Sequence, residues 1–321
     1  MKKKIRFLAV TAGVVILILG FACAEPVKDG YGKAQLPDSS VYEGNFKNGL
    51  FDGKGTMVWR NGDRYEGDFK NGLFNGKGIS VRRNGDAYEG EFKDGLMEGK
   101  GIYSRVNGDR YEGEMKEGYF SGKGTLKLGD RGSYEGEFKD GEITGRGKMT
   151  YADGTIVEGM FKRGMAEGMV TIHNPEYTYE GEFRKNVFNG KGKATYANGT
   201  TVEGNFINGR LEGAGRYKQG NGDAYEGEFK NGLFDGKGVL SYSNGDKYEG
   251  RFENNYFNGR GKYTTREGFI YEGSFKDSKY DGEGTLTCPA DCKDCPQKVT
   301  RGIWKKGKLF VDFDKTPRAK K

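Results

Sequence analysis

The 321-residue chain is poor in the residues that usually do chemistry: one histidine, four cysteines and two tryptophans. Most nucleophilic triads and metal centres use histidine, and His173 stands alone on the outward parity of its segment. A phosphate-binding loop is also missing. Gly53-Lys54-Gly55-Thr56 has a superficial likeness to one, but it lacks a strand–loop–helix setting and recurs along the chain. Carboxylates are abundant yet return at fixed intervals, so no pair is singled out for a raised pKa. These absences read as a protein that is not an enzyme and carries no cofactor.

Glycine is what the chain has in excess, with 57 residues, and it falls on a period. Tyr42-Glu43-Gly44 returns at Tyr65, Tyr88, Tyr111, Tyr134, Val157, Tyr179, Val202, Tyr225, Tyr248 and Tyr271. Every step is 23 residues except that from Val157 to Tyr179, which is 22. A period of this size marks an array whose units touch only their neighbours.

Within Tyr65 to Ala87, Tyr65-Glu66-Gly67-Asp68-Phe69-Lys70 alternates strictly, as a half-buried strand does. Asn71-Gly72 is a turn, a second strand starts near Gly76-Lys77-Gly78, and Asn84-Gly85-Asp86 closes the unit. Each repeat is therefore a β-hairpin, and the chain is a meander. Glycine weakens a strand interior, so Gly67, Gly76 and Gly78 need a reason. The expected reason is room for the rings of adjacent strands, giving a ladder of Tyr and Phe as the core. If Phe69 faces Gly76 across its hairpin, Asp68 faces Lys77, and Glu91–Lys100, Glu114–Lys123, Glu137–Arg146 and Glu228–Lys237 follow suit.

The recurring unit YEGxFxNGxxxGxGxxxxxNGxx resembles the MORN (membrane occupation and recognition nexus) repeat, about eleven times from Tyr42 to Leu286. The resemblance implies an all-β fold, an elongated single-layer antiparallel sheet of tandem hairpins that serves as a scaffold or contact surface. It also implies that any catalysis would come from a separate domain, and none is visible. Association with acidic phospholipids, attributed to some members, is a weaker implication, because ring stacking already explains the Tyr and Phe of the motif.

The array is least regular between Val157 and Phe206. Gly168-Met169-Val170 replaces Gly-Lys-Gly, the repeat ends in His173-Asn174-Pro175, and Met160 and Ile207 take normally polar places. Met160, Met169, His173 and Ile207 are therefore the candidate partner site, against a plain reading as drift in one repeat. After Tyr271 the next unit, Val299-Thr300-Arg301-Gly302-Ile303-Trp304, comes 28 residues on and reads as a terminal cap.

Residues 1–24 read as a targeting segment: Lys2, Lys3, Lys4 and Arg6, then an apolar run, then Ala22-Cys23-Ala24 before Glu25. Cleavage, lipidation at Cys23 and retention as an anchor are three readings of it, and all three export the chain, to the periplasm or beyond. Residues 25–41 lead in, 42–287 hold the repeats, 288–297 form a cysteine-rich loop, and 298–321 hold the cap and tail. Without the leader's four basic residues the charge of +7 becomes +3; residues 298–321 hold +7, so 25–297 carry −4. That argues against nucleic acid as a partner. Lys315, Arg318, Lys320 and Lys321 are the candidate contacts to an anionic surface, against a solvated tail. Cys288, Cys292 and Cys295, in the spacing C-x3-C-x2-C, are expected to form one local disulfide of unspecified pairing. A metal site and an iron–sulfur cluster are the rival readings of the same spacing. The expected function is a non-catalytic scaffold or protein-recognition surface of the cell envelope, with an unidentified protein as partner. A membrane-surface binder and a carbohydrate-binding ribbon are the alternatives.

Overall fold

The computed structural model describes residues 29–315 except 294 and 296. Among them are 25 β-strands and no helix. Two compact units divide at Glu167/Gly168. The first holds β1 (Gly30–Gln35), β2 (Val41–Lys47), β3 (Leu50–Val58), β4 (Arg64–Lys70), β5 (Leu73–Val81), β6 (Ala87–Lys93), β7 (Leu96–Ser104), β8 (Asp109–Lys116), β9 (Tyr119–Leu128), β10 (Gly132–Lys139), β11 (Glu142–Tyr151) and β12 (Ile156–Lys162). β13 (Met165–His173) straddles the division, and the second unit runs on from β14 (Tyr177–Arg184) to β24 (Val299–Lys305) and β25 (Lys308–Asp312). Within each unit, strands pair antiparallel with their neighbours in sequence, as tandem hairpins must.

The aromatic ladder fills one face. In the repeat that starts at Tyr65, the Tyr65 ring stacks on Phe74 at 3.7 Å and meets the edges of Phe69 and Phe92, each at 5.1 Å. Each such Tyr is thus boxed by its own strand, the return strand and the next repeat. Gly67 and Gly78 lie beneath it: a Cβ on Gly67 would come within 2.6 Å of the Tyr65 hydroxyl. The hydroxyl donates to the carbonyl of Asp68 at 2.9 Å. That bond explains the division of labour between the rings. Tyr stands where a hydroxyl reaches a carbonyl three residues on, and Phe stands where none does. Where Val202 replaces Tyr in the second unit, Leu211 fills the space over Gly204 and Gly215 instead.

Two expectations need correction. Gly76 does not sit under a ring; its φ is +84°, and a Cβ there would meet Asp68. The hairpin register is also different. Gly67 pairs with Gly78, but a bulge follows and Phe69 pairs with Phe74. Lys77 therefore lies across from Glu91 of the next repeat, and Lys54 from Asp68, Lys100 from Glu114 and Lys123 from Glu137. The charged pairs stitch neighbouring hairpins together rather than closing one. Asp68 joins both: its carboxylate meets the Lys54 ammonium at 2.8 Å and accepts the Lys77 backbone N–H at 3.1 Å.

The turns are stitched as well. Asp63 accepts the N–H of Arg83, Asp223 that of Ser243 and Asp246 that of Arg266, each one turn further along. At the opposite edge Glu98 accepts the N–H of Glu117, and Glu212 that of Asn231.

The buried phenols make a prediction about pH. Burial pushes Tyr42, Tyr134, Tyr179, Tyr248 and Tyr271 up to about 12, and raises Tyr65, Tyr88, Tyr111 and Tyr225 as well. A tyrosine in the unfolded chain ionises near ~10. Above that pH the unfolded chain gives up protons that the folded chain keeps. The stability from neutral, buried phenols is thus complete below pH ~10 and lost as pH rises through the folded values. Denaturant titrations across that window should show a steep fall in stability, with tyrosinate absorbance appearing together with unfolding. Stability that stays level there would contradict the burial of these hydroxyls.

Candidate interaction surface

With rings on one face, the other face of the first unit lies open. A shallow trough of about 1110 Å³ runs across it from the repeat of Tyr42 to that of Tyr111. Strand alternation builds two parallel rows of side chains along it. One row alternates acid and base: Asp68, Lys77, Glu91, Lys100, Glu114 and Lys123. The other row has a different pattern. Glu66 stands between Thr56 and Ile79, Glu89 between Ile79 and Ile102, and Glu112 between Ile102 and Thr125. Glycines floor the trough, Gly67, Gly78, Gly90 and Gly101 among them, so these side chains rise from a flat base.

Two features distinguish this stretch. The first is apolar exposure: Ile79 is 44% exposed, and Val58 and Val81 are also open on the same face. The second is charge. Arg64 and Arg110 pair with Glu66 and Glu112 from the same strand, while Glu89, like Glu135, has no ion-pair partner among the described residues. In the second unit, Lys or Arg takes the corresponding place beside Glu203, Glu226 and Glu272, and Arg216–Glu226 and Lys262–Glu272 close at 3.1 and 2.9 Å. Val239 stands between Glu226 and Glu249 in the second unit, so what marks the first unit's trough is that two successive repeats, at Ile79 and Ile102, carry an apolar residue there.

The residues singled out from sequence fall elsewhere. Met160 lies on β12 in the first unit; Met169 and His173 lie on β13 and Ile207 on β16 (Thr201–Ile207), all within the second unit. All four are exposed. Cys292 and Cys295 are joined by a disulfide and Cys288 is a thiol. The Lys298 ammonium closes that loop, donating to the carbonyls of Ala290 and Cys292 at 2.9 Å each. Among the described residues no group of His, Cys, Asp and Glu is placed to hold a metal. Lys315 pairs with Asp312 at 3.4 Å. Cys23, Arg318, Lys320 and Lys321 lie outside the described residues, as does the targeting segment. The motif rings needed for a carbohydrate ribbon are stacked and buried. The trough is not visible in the repeat motif, because Ile79 and Ile102 fall on positions that the motif leaves open. A signal was available: they occupy the place held by Lys or Arg in several later repeats.

Comparison with known proteins bears on the repeat itself. No curated protein matches the chain. Solved structures resemble it only weakly. The TCP domain of SAS-4 from Drosophila melanogaster, in complex with a proline-rich motif of Ana2, is 17% identical, with 46% of this chain and 83% of that chain covered and a TM-score of 0.29. The TCP10 domain of Danio rerio CPAP is 11% identical over 77% and 94%, with a TM-score of 0.25. A streptogramin B lyase is 14% identical over 79% and 85%, with a TM-score of 0.14. No argument rests on these three. The MORN repeat family model, by contrast, matches residues 42–64, 65–87, 88–110, 111–133, 134–156, 179–201, 203–224, 225–247, 248–268 and 271–293. It passes over the irregular repeat after 156 and covers well over half the chain. With the boxed tyrosines and paired glycines repeating at the same positions, the chain belongs to the MORN repeat family.

Proposed function

We propose that the protein is a non-catalytic scaffold of the cell envelope that recognises protein partners on the open face of its first unit. MORN repeats are in general binding or scaffolding modules. The observation that carries the reading is the trough, where exposed Ile79 and half-buried Ile102 alternate with Glu66, Glu89 and Glu112 on a face with no second layer. Apolar side chains rimmed by charge are what a polypeptide partner uses, and what a solvated face normally avoids. The location rests on residues 1–24 and would be settled by the intact mass of the mature chain from its host.

Cross-linking through Lys77 and Lys100 in the native envelope fraction tests the recognition. The double variant Ile79→Lys/Ile102→Lys should cut partner cross-links about tenfold, as loss of a central apolar contact does. Undiminished cross-links, or cross-links only from other faces, would sink the reading.

A further inference from the structure

The loop between β23 (Lys279–Thr287) and β24 holds three cysteines: Cys288 as a thiol, Cys292 and Cys295 as a disulfide. The bond adds little to the fold. A disulfide stabilises according to the length of chain it closes, and this one closes a sequence separation of 3. The loop that carries it is shut without it: Thr287 pairs with Val299, and the Cys288 N–H donates to the Lys298 carbonyl at 2.9 Å. Inside the loop, the Cys292 N–H donates to the Pro289 carbonyl at 3.2 Å. The Lys298 ammonium gathers the carbonyls of Pro289, Ala290 and Cys292 at 3.4, 2.9 and 2.9 Å. None of these bonds involves sulfur, so none is lost when the disulfide opens. They hold Cys292 in place in either state, ready to close again on Cys295.

The loop also makes the bond reactive. Ala290, Asp291 and Lys293 are exposed, and Cys292 and Cys295 are half-buried, within reach of another protein. Asp291 and Lys293 flank Cys292 with opposite signs and offset one another. The charge that is held in place is the Lys298 ammonium, fixed at Cys292 by its hydrogen bond to that residue's carbonyl. In thiol–disulfide exchange a thiolate attacks one sulfur and the other leaves as a thiolate, which a neighbouring cation favours.

We propose that the Cys292–Cys295 bond is a thiol–disulfide exchange site for protein dithiols. One thiolate of the dithiol attacks Cys295 Sγ. A bond forms between them, the Cys292–Cys295 bond breaks, and its electron pair leaves on Cys292 Sγ beside the Lys298 ammonium. The second thiolate of the substrate then attacks the first sulfur and displaces Cys295. The dithiol is oxidised to a disulfide, the loop is reduced to two thiols, and the dithiol's two protons end on Cys292 and Cys295. A disulfide substrate returns the loop by the reverse steps. Cys288, tied into the hairpin end, takes no part. The site lies apart from the trough and goes beyond the recognition reading.

The test compares the folded full chain, its Cys288→Ala variant, and an oxidised synthetic peptide of residues 287–299 carrying Cys288→Ala, in which no hairpin holds Lys298. Dithiothreitol is the dithiol. Acid-quenched, alkylated samples are mapped by mass at Cys292 and Cys295, while circular dichroism follows the sheet. The bond should open at least about tenfold faster in either chain than in the peptide, as a held cation predicts. The sheet signal should stay unchanged, and oxidised glutathione should close the bond again. Lys298→Gln should bring the rate down to that of the peptide, and Lys298→Arg, which keeps the cation, should retain most of it. Equal rates in chain and peptide overturn the proposal, as does a Lys298→Gln chain that reacts like the parent. A bond that opens only as the sheet signal is lost would be a structural staple instead. A Cys288→Ala chain slower than the parent would mean that the bond is opened from inside the loop, which also overturns it. None of these variants touches Ile79 or Ile102, so the recognition reading stands or falls on its own cross-links.

Discussion

Tyr111→Ala is expected to destabilise the first unit by about 3–5 kcal/mol, the range for truncating a buried aromatic side chain. Tyr111 is fully buried, stacks on Phe120 at 3.8 Å, and meets the edge of Phe138 in the next repeat at 5.1 Å. Its ring roofs Gly113 and Gly124, which have no side chains to fill the space it would leave. Contacts in an array are local, so the loss should be read residue by residue. Hydrogen exchange should show faster opening across β8, β9 and β10 and near-parental protection in β2 and β3. Tyr111→Phe separates the ring from its hydroxyl. It keeps the stack and removes the donor to the Glu114 carbonyl at 2.8 Å, a loss of about 1 kcal/mol. Equal losses for the two variants would mean that the hydroxyl, not the ring, holds the repeat.

Gly78→Ala is expected to cost about 3 kcal/mol or more, unusual for the addition of one methyl group. The new Cβ would lie 2.6 Å from ring carbons of Tyr65, which is boxed by Phe69, Phe74 and Phe92 and has nowhere to go. The cost is steric, because Gly78 is not among the glycines with positive φ. Gly72→Ala is the contrast: φ there is +81° with nothing within 4 Å of the new atom, so the backbone term alone applies, about 1–2 kcal/mol. Adding Tyr65→Val to Gly78→Ala should give less than the sum of the two losses, since the clash needs both groups. Urea titrations of the four variants measure this; strict additivity would show that the ring does not lie on the glycine.

Much of the architecture could be read before any coordinates. Tyr65, Gly67 and Phe69 share a face because strand side chains alternate, and Asn71-Gly72 turns the chain because Asn tolerates, and Gly favours, a positive φ. The stacked ring at Phe74 was legible too, since Phe51, Phe120, Phe188, Phe234 and Phe257 hold the same place, but its role needs a partner strand to be seen. What one sequence does not display is how many residues a bulge absorbs. Gly76, at positive φ, shifts the return strand, and with it the partner of every lysine moves from its own hairpin to the next.

The sequence by itself therefore determined the repeat, the hairpin and the aromatic face, because those follow from periodicity and from the conformations open to Gly and Asn. Register, the coupling of Lys54 to Asp68, and the reason for Tyr rather than Phe were decided only in the tertiary structure. Each depends on where a neighbouring strand lies to within one residue, and a slip of one residue would turn its side chains to the opposite face. The trough arose the same way: Ile79, Glu89 and Ile102 are ten to thirteen residues apart in the chain and become one row only when three strands are laid side by side.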